Sequence, residues 1–188
     1  MIRKIFVTTV GIFLSVTAAQ AGSVQIGIND NSVEGVVSQQ IIDDQKGTTE
    51  VYARGLYNDR TSSSIGEIGL DVFGGIADLP GMRAGVGIRL AAIDADNEKA
   101  EAVALGVNLR FNPPALQGVG VRAQIFYAPK ILTFGEGERL LESAIQLEYE
   151  FMPRARAFVG YGYTMLHTED LGDVKADDSF RVGAEFGF

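Results

Sequence analysis

The segment from Ser179 to Phe188 alternates so regularly that its two faces have opposite chemistry. Phe180, Val182, Ala184, Phe186 and Phe188 share one side, and Arg181, Gly183, Glu185 and Gly187 share the other. In water, apolar residues at a chain end fray unless something covers them. The segment therefore reads as a strand with one face toward lipid. Lipid offers no partners for backbone N–H and C=O groups, so a membrane sheet must close on itself. The expected architecture is an antiparallel transmembrane β-barrel, and the bland alternative is an edge strand of a soluble sandwich.

The same period recurs upstream. Clean alternation covers about 179–188, 155–166, 140–152, 118–128, 100–111, 82–93, 65–75 and 49–58, with weaker segments at 33–42 and 23–29. Val103, Leu105, Val107, Leu109 and Phe111 face away from Ala102, Ala104, Gly106, Asn108 and Arg110, a pattern that a helix of period 3.6 does not produce. The connections alternate in length, as bacterial barrels require. Those at 167–178, 129–139 and 94–99 read as polar or acidic outer loops, while Met152-Pro153-Arg154, 112–117 and 76–81 read as short turns. An even strand number follows if both ends lie on one side. Ten strands are expected if 23–29 and 33–42 pair through Asn29-Asp30-Asn31-Ser32, and eight if neither enters the wall.

The opposite end fixes the compartment. Arg3 and Lys4 precede an apolar run from Ile5 to Val16, and Ala19-Gln20-Ala21 supplies small residues where a signal peptidase cuts. Residues 1–21 are read as a signal peptide and 22–188 as the barrel. The apolar run falls short of the roughly 20 residues a spanning helix needs. Cys is absent, which excludes disulfides and thiolate chemistry. Removing Arg3 and Lys4 leaves 14 basic against 24 acidic side chains, about −10 for the mature form. Such a chain repels nucleic acid. Trp is also absent, so Tyr and Phe must supply any interfacial belt.

Residues 181–188 follow the order polar, any, Gly, any, any, aromatic, any, aromatic. This resembles the C-terminal assembly signal of bacterial outer-membrane proteins, carried here by Arg181, Gly183, Phe186 and Phe188, and implies the β-barrel assembly machinery as a partner. Tyr127-Ala128-Pro129, Met152-Pro153, Gly160-Tyr161-Gly162-Tyr163 and a Gly-rich strand ending at Phe188 occur in that order. In this the chain is similar to the YfaZ family of outer-membrane proteins, most clearly from Ala100 onward. The resemblance implies a Gram-negative outer-membrane location, with lipid and lipopolysaccharide as surroundings, but no activity.

With apolar faces toward lipid, the lumen is expected to receive Arg54, Glu67, Asp71, Arg83, Arg89, Arg110, Arg122, Glu142, Glu148, Glu150, Arg156, Arg181 and Glu185. Unpaired buried ions are costly, so these charges should pair into a plug. About eight strands give an interior just filled by side chains, whereas water-filled porins use 16–18, which places ten near the filled limit. A packed polar core is favoured over an ion pathway. By parity Phe111, Tyr127, Tyr149, Phe151, Tyr161, Tyr163 and Phe180 form an outward aromatic belt, and Phe126 and Phe158 point inward as packing.

Catalysis is weakly supported. The one histidine, His167, stands beside Thr168, Glu169 and Asp170, but neighbours on a strand alternate faces and cannot form one triad without distortion. The acidic sets at Asp94, Asp96 and Glu98 and at Glu169, Asp170, Asp173, Asp177 and Asp178 lack calcium-loop spacing, and a solvated rim is the plainer reading. No catalytic, cofactor-binding or metal residue is assigned. The expected protein is a monomeric, non-enzymatic barrel with a polar, largely plugged lumen and acidic surface loops, in a structural or surface-interaction role. A narrow solute pore and a rim hydrolase using His167 are the alternatives.

Overall fold

The Asn29-Asp30-Asn31 segment turns the chain back on itself because the Asn29 side chain takes over backbone bonding. Its Oδ1 accepts the N–H groups of Asn31 at 2.8 Å and Ser32 at 2.6 Å, an Asx-type turn. It joins β1 (Gly22–Ile28) to β2 (Ser32–Asp44), so both weak N-terminal segments are wall strands. The computed structural model describes residues 21–188 except 45, 46, 78, 96, 97 and 170. The signal-peptide reading covers residues 1–21, all of which but Ala21 lie outside the described residues.

The other wall strands are β3 (Gly47–Asn58), β4 (Ser63–Gly75), β5 (Met82–Ala95), β6 (Glu98–Phe111), β7 (Val119–Ala128), β9 (Gly137–Met152), β10 (Ala155–Thr168) and β11 (Gly172–Gly187). The short β8 (Thr133–Gly135) pairs only with the start of β6. Neighbours pair antiparallel, and β11 pairs with β1 from Ile28↔Val182 to Ser23↔Gly187, which closes a ten-stranded barrel. Reciprocal backbone bonds between Gly22 and Phe188, 2.9 and 3.1 Å, finish the seam. The ends at which β2 meets β3, β4 meets β5, β6 meets β7 and β9 meets β10 lie together with Gly22 and Phe188, here the terminal end. The opposite end is the distal end.

Turn chemistry is local. At Leu79-Pro80-Gly81-Met82 the Met82 N–H donates to Leu79 O at 3.0 Å, with Pro80 fixing the first corner and Gly81 at φ +84° the second. The β9–β10 turn uses only Pro153 and Arg154, with Arg154 at φ +67°.

The distal connections correct the sequence expectation. The 167–178 segment is a hairpin, not a long acidic loop: β10 runs to Thr168, β11 starts at Gly172, and only 169–171 connect them. Likewise β5 and β6 consume most of 94–99. Within 129–139 lie a 3₁₀ turn at Lys130–Leu132 and β8. Acidic residues on a strand that continues past the apolar band look like loop residues in sequence.

Because β1 is short, β11 overshoots it and leaves an edge. Exposed strand edges recruit other strands unless blocked. Side chains from two distal turns do the blocking. Asn29 Nδ2 donates to Phe180 O (2.7 Å), Arg60 Nη2 to Asp178 O (3.2 Å), and the Thr61 and Ser63 hydroxyls to Ala176 O. A register shift opposite Thr164/Met165 turns both Ala176 and Asp177 inward, as a bulge does.

Candidate functional site: the barrel interior

The outward face is the apolar one: Ile26, Ile68, Val86, Leu105, Ile125, Ile145, Val159 and Val182 are all exposed. What distinguishes this chain is therefore inside, and the interior is layered along the axis.

At the distal end the lumen holds an apolar cluster. Leu56, Ile65, Ile93, Leu140 and Leu166 pack there with Phe126 and with Ala91, Ala95, Ala100, Ala102, Ala104, Ala128 and Ala176, and Leu56, Leu140 and Leu166 are 0% exposed. This corrects the expectation of a polar interior throughout. The strand ends carry apolar residues on both faces here, so simple alternation hides them. Asn58, Ser63, Thr164, Thr168 and Asp177 are buried beside this layer. Asp177 accepts from Asn58 at 3.3 Å and from Arg181 at 2.9 Å, so it belongs to the lumen and not to a surface acidic set.

Below lies a charge cluster around two arginines. Arg54 reaches Glu34 (2.9 Å), Glu67 (2.5 Å) and Glu142 (3.4 Å). Arg89 faces Glu142 at 3.5 Å and Glu67 at 3.9 Å, donates to Gln124 at 2.9 Å, and stacks on Phe126 with its guanidinium carbon 3.4 Å from the ring centre. Arg181 joins Glu34 at 3.3 Å. Inward glycines make the room: a Cβ at Gly162 would strike the Arg181–Asp177 pair, one at Gly106 the Phe126 ring, and one at Gly69 the Tyr52 ring.

Toward the terminal end the interior loosens. Arg110 pairs with Glu50 (2.7 Å), and Arg122 with Glu148 (2.9 Å) and Glu185 (3.0 Å). Arg156 reaches Glu150 (3.2 Å) and Glu185 (3.6 Å) at the mouth, where both it and Glu150 are partly exposed. Asp71 accepts from Asn108 at 2.9 Å. Arg83 is half-buried near the same mouth, donating to the Thr48 hydroxyl and lying 5.7 Å from the Phe73 ring centre. A cavity of about 90 Å³ extends from this region to Arg54, Arg89 and Arg181 of the central cluster.

Glu34, Glu50 and Asp177 are lumen residues that sequence reading did not assign. The first two were legible: Glu34, Val36 and Ser38 alternate with Val33, Gly35 and Val37, and Glu50 lies at the even spacing of Tyr52 and Arg54. Asp177 was not, because the bulge breaks parity.

His167 faces outward at the distal rim. Its Nδ1 is 2.6 Å from Asp173 Oδ1 and its Nε2 is 3.6 Å from Glu138 Oε2. Thr168 points inward, where its Oγ1 accepts the Leu171 N–H, so this imidazole stands between carboxylates instead of beside a nucleophile. Nearby Lys130 contacts Glu138 and, at 2.9 Å, Glu169; hydrogen bonds to Glu138 and then Glu169 hold its ammonium above the usual lysine pKa. His167→Ala is expected to leave the barrel folded and to lower its unfolding free energy, measured in urea, by less than about 1 kcal/mol, as for other exposed ion pairs. A larger loss would show that the rim cluster is structural.

The aromatic side chains assigned to the belt all lie on the outer face. Phe111, Tyr149 and Phe151 stand near the terminal end, and Tyr127, Tyr161, Tyr163 and Phe180 stand toward the distal end. Tyr161 packs on Phe180 with ring centres 4.8 Å apart and donates to Asp178 at 2.7 Å. In the final strand Arg181 is inward and paired, Gly183 lies under Phe158, and Phe186 and Phe188 are exposed.

Among solved structures, the chain is similar to the KdgM porin at 12% identity, covering 89% of this chain and 99% of that one with a TM-score of 0.47. OmpT of Vibrio cholerae is 14% identical, with 88% and 64% covered and a TM-score of 0.43. The outer membrane channel DcaP of Acinetobacter baumannii is 12% identical, with 88% and 62% covered and a TM-score of 0.45. The chain thus spans less than two thirds of the latter two. No curated protein matches it. The YfaZ precursor family, by contrast, matches residues 2–188, so the chain belongs to the YfaZ family.

Proposed function

We propose that this chain is a non-enzymatic, monomeric barrel of the Gram-negative outer membrane whose lumen is closed by its own side chains, and which acts through its outer surface. The observation that carries the reading is the apolar layer of Leu56, Ile65, Ile93, Leu140 and Leu166 across the distal lumen. Hydrated ions avoid such a layer, because crossing it strips their water with nothing to replace it. The Arg54 and Arg89 cluster beneath it narrows the path again. The outward apolar band and the aromatic side chains at both ends suit lipid and its interfaces. Distal Asp173, Glu138 and Glu169 give the outer rim an acidic character that suits divalent-bridged contact with lipopolysaccharide, and Phe186 and Phe188 suit recognition by the assembly machinery during insertion.

The test is conductance. Residues 22–188, refolded in detergent and shown folded by different cold and boiled gel mobility, are expected to give no discrete current steps in a planar bilayer. Steady steps that change with Arg110→Ala or Arg122→Ala would instead assign a narrow pore.

A further inference from the structure

Three arginines form a row across adjacent strands at the terminal end of the lumen. Arg83 is the register partner of Arg110, and Arg110 the register partner of Arg122. Directly opposed residues in an antiparallel pair have Cβ atoms about 5 Å apart, and like charges there destabilise the sheet. In a chain of net charge −8 this concentration of positive charge is a local reversal. The carboxylates are unevenly shared: Glu50 meets Arg110, Glu148 and Glu185 meet Arg122, and Asp71 lines the same cavity, whereas Arg83 has only the Thr48 hydroxyl and the Phe73 ring among the described residues.

The cavity of about 90 Å³ opens in front of Arg110 and Arg122, with Asn108 and Gln146 in its wall beside Glu50, Asp71 and Glu185, and Arg83 flanks it without lining it. One water needs roughly 10–15 Å³ of such space, so a group of several heavy atoms fits. Entry is from the terminal end. The side chains of Arg122, Arg110 and Arg156 are 21%, 24% and 31% exposed there, while Leu56, Leu140 and Leu166 toward the distal end are 0% exposed.

We infer that the row Arg83–Arg110–Arg122 is a binding site for a small oxyanion, a phosphate or carboxylate group that bridges neighbouring guanidiniums. Planar guanidiniums side by side match such oxygens in paired hydrogen bonds, and the ligand removes the repulsion within the row. The site is a blind chamber and not a conduit. The direction of entry rests on the closed-lumen reading, but binding does not, since it is measured on protein whose folding is established separately by gel mobility.

The experiment is calorimetric titration of the refolded barrel with sodium phosphate, against sodium chloride of matched ionic strength. Saturable one-site binding is expected, weakened at least tenfold in Arg110→Gln and Arg122→Gln and unchanged in the exposed distal control Arg139→Gln. Should either buried variant fail to fold, Arg83→Gln, which strands no carboxylate, is expected to weaken binding about threefold. Succinate competition assigns the group: displacement below the phosphate concentration marks a carboxylate site, and displacement only above it a phosphate site. Absence of saturable binding to the folded wild type, or equal affinity in all folded row variants, would overturn the inference.

Discussion

Arg54→Met is expected to lower the unfolding free energy of the barrel by about 3 kcal/mol, near the lower limit for breaking a buried ion pair. The methionine fills much of the volume, so the loss comes from charge. Glu34, Glu67 and Glu142 all lie within 3.4 Å of the Arg54 guanidinium. Arg181 continues to serve Glu34, but Glu67 and Glu142 are left to share Arg89 at 3.9 and 3.5 Å. Two neighbouring carboxylates with one guanidinium make an imbalance that Glu142→Gln relieves. The double variant should therefore recover part of the loss. Urea unfolding followed by gel mobility measures both, and an Arg54→Met barrel as stable as wild type would show that the cluster contributes little.

Gly183→Val is expected to cost about as much by a different route. A Cβ at this position would lie 2.5 Å from the Phe158 ring and even closer to the carbonyl oxygen of Ile26 on β1. Phe158 can rotate away, but the Ile26 carbonyl belongs to the strand paired with β11 at the seam. Overpacking of this kind typically costs 1–3 kcal/mol, and a β-branched residue against backbone belongs at the upper end. Adding Phe158→Leu removes only the ring contact, so partial recovery is the expected result. Full recovery would locate the whole cost in the ring, and an undiminished midpoint in the single variant would refute the packing argument.

Both positions bear on what was legible in the sequence. Period-two alternation identified the wall strands from 49 onward, since over most of its length each turns polar or small residues to one face and apolar residues to the other. Pairing through Asn29-Asp30-Asn31-Ser32 selected ten strands over eight, and the Asx turn and the six-register seam to β11 are its physical form. Most charges assigned to the lumen do lie inside, with Arg83, Arg156 and Glu150 displaced to its mouth.

Three features resisted for specific reasons. The extension of β10 and β11 beyond the apolar band was masked by Glu169, Asp173 and Asp178, which on a protruding hairpin are solvated on one face as loop residues would be. The inward turn of Asp177 required the bulge at Ala176/Asp177, and a one-residue slip has no composition signature. The apolar layer of the distal lumen is built from residues on five or more strands that meet only once the barrel closes. Leu56, Ile65, Ile93, Leu140 and Leu166 each look like ordinary strand apolar residues in isolation, so their convergence is a property of tertiary structure.

The most direct test of the account uses the absence of tryptophan from the chain. Single Trp residues placed at Gln124, Ile125, Ile145 and Gln146 report without background whether adjacent residues face opposite media. Ile125 and Ile145 are outward and exposed, whereas Gln124 and Gln146 line the lumen cavity. In vesicles of brominated lipid, Ile125→Trp and Ile145→Trp are expected to be strongly quenched and Gln124→Trp and Gln146→Trp to be spared. Equal quenching at all four positions, or none at any, would contradict a closed barrel with a side-chain-filled interior set in lipid.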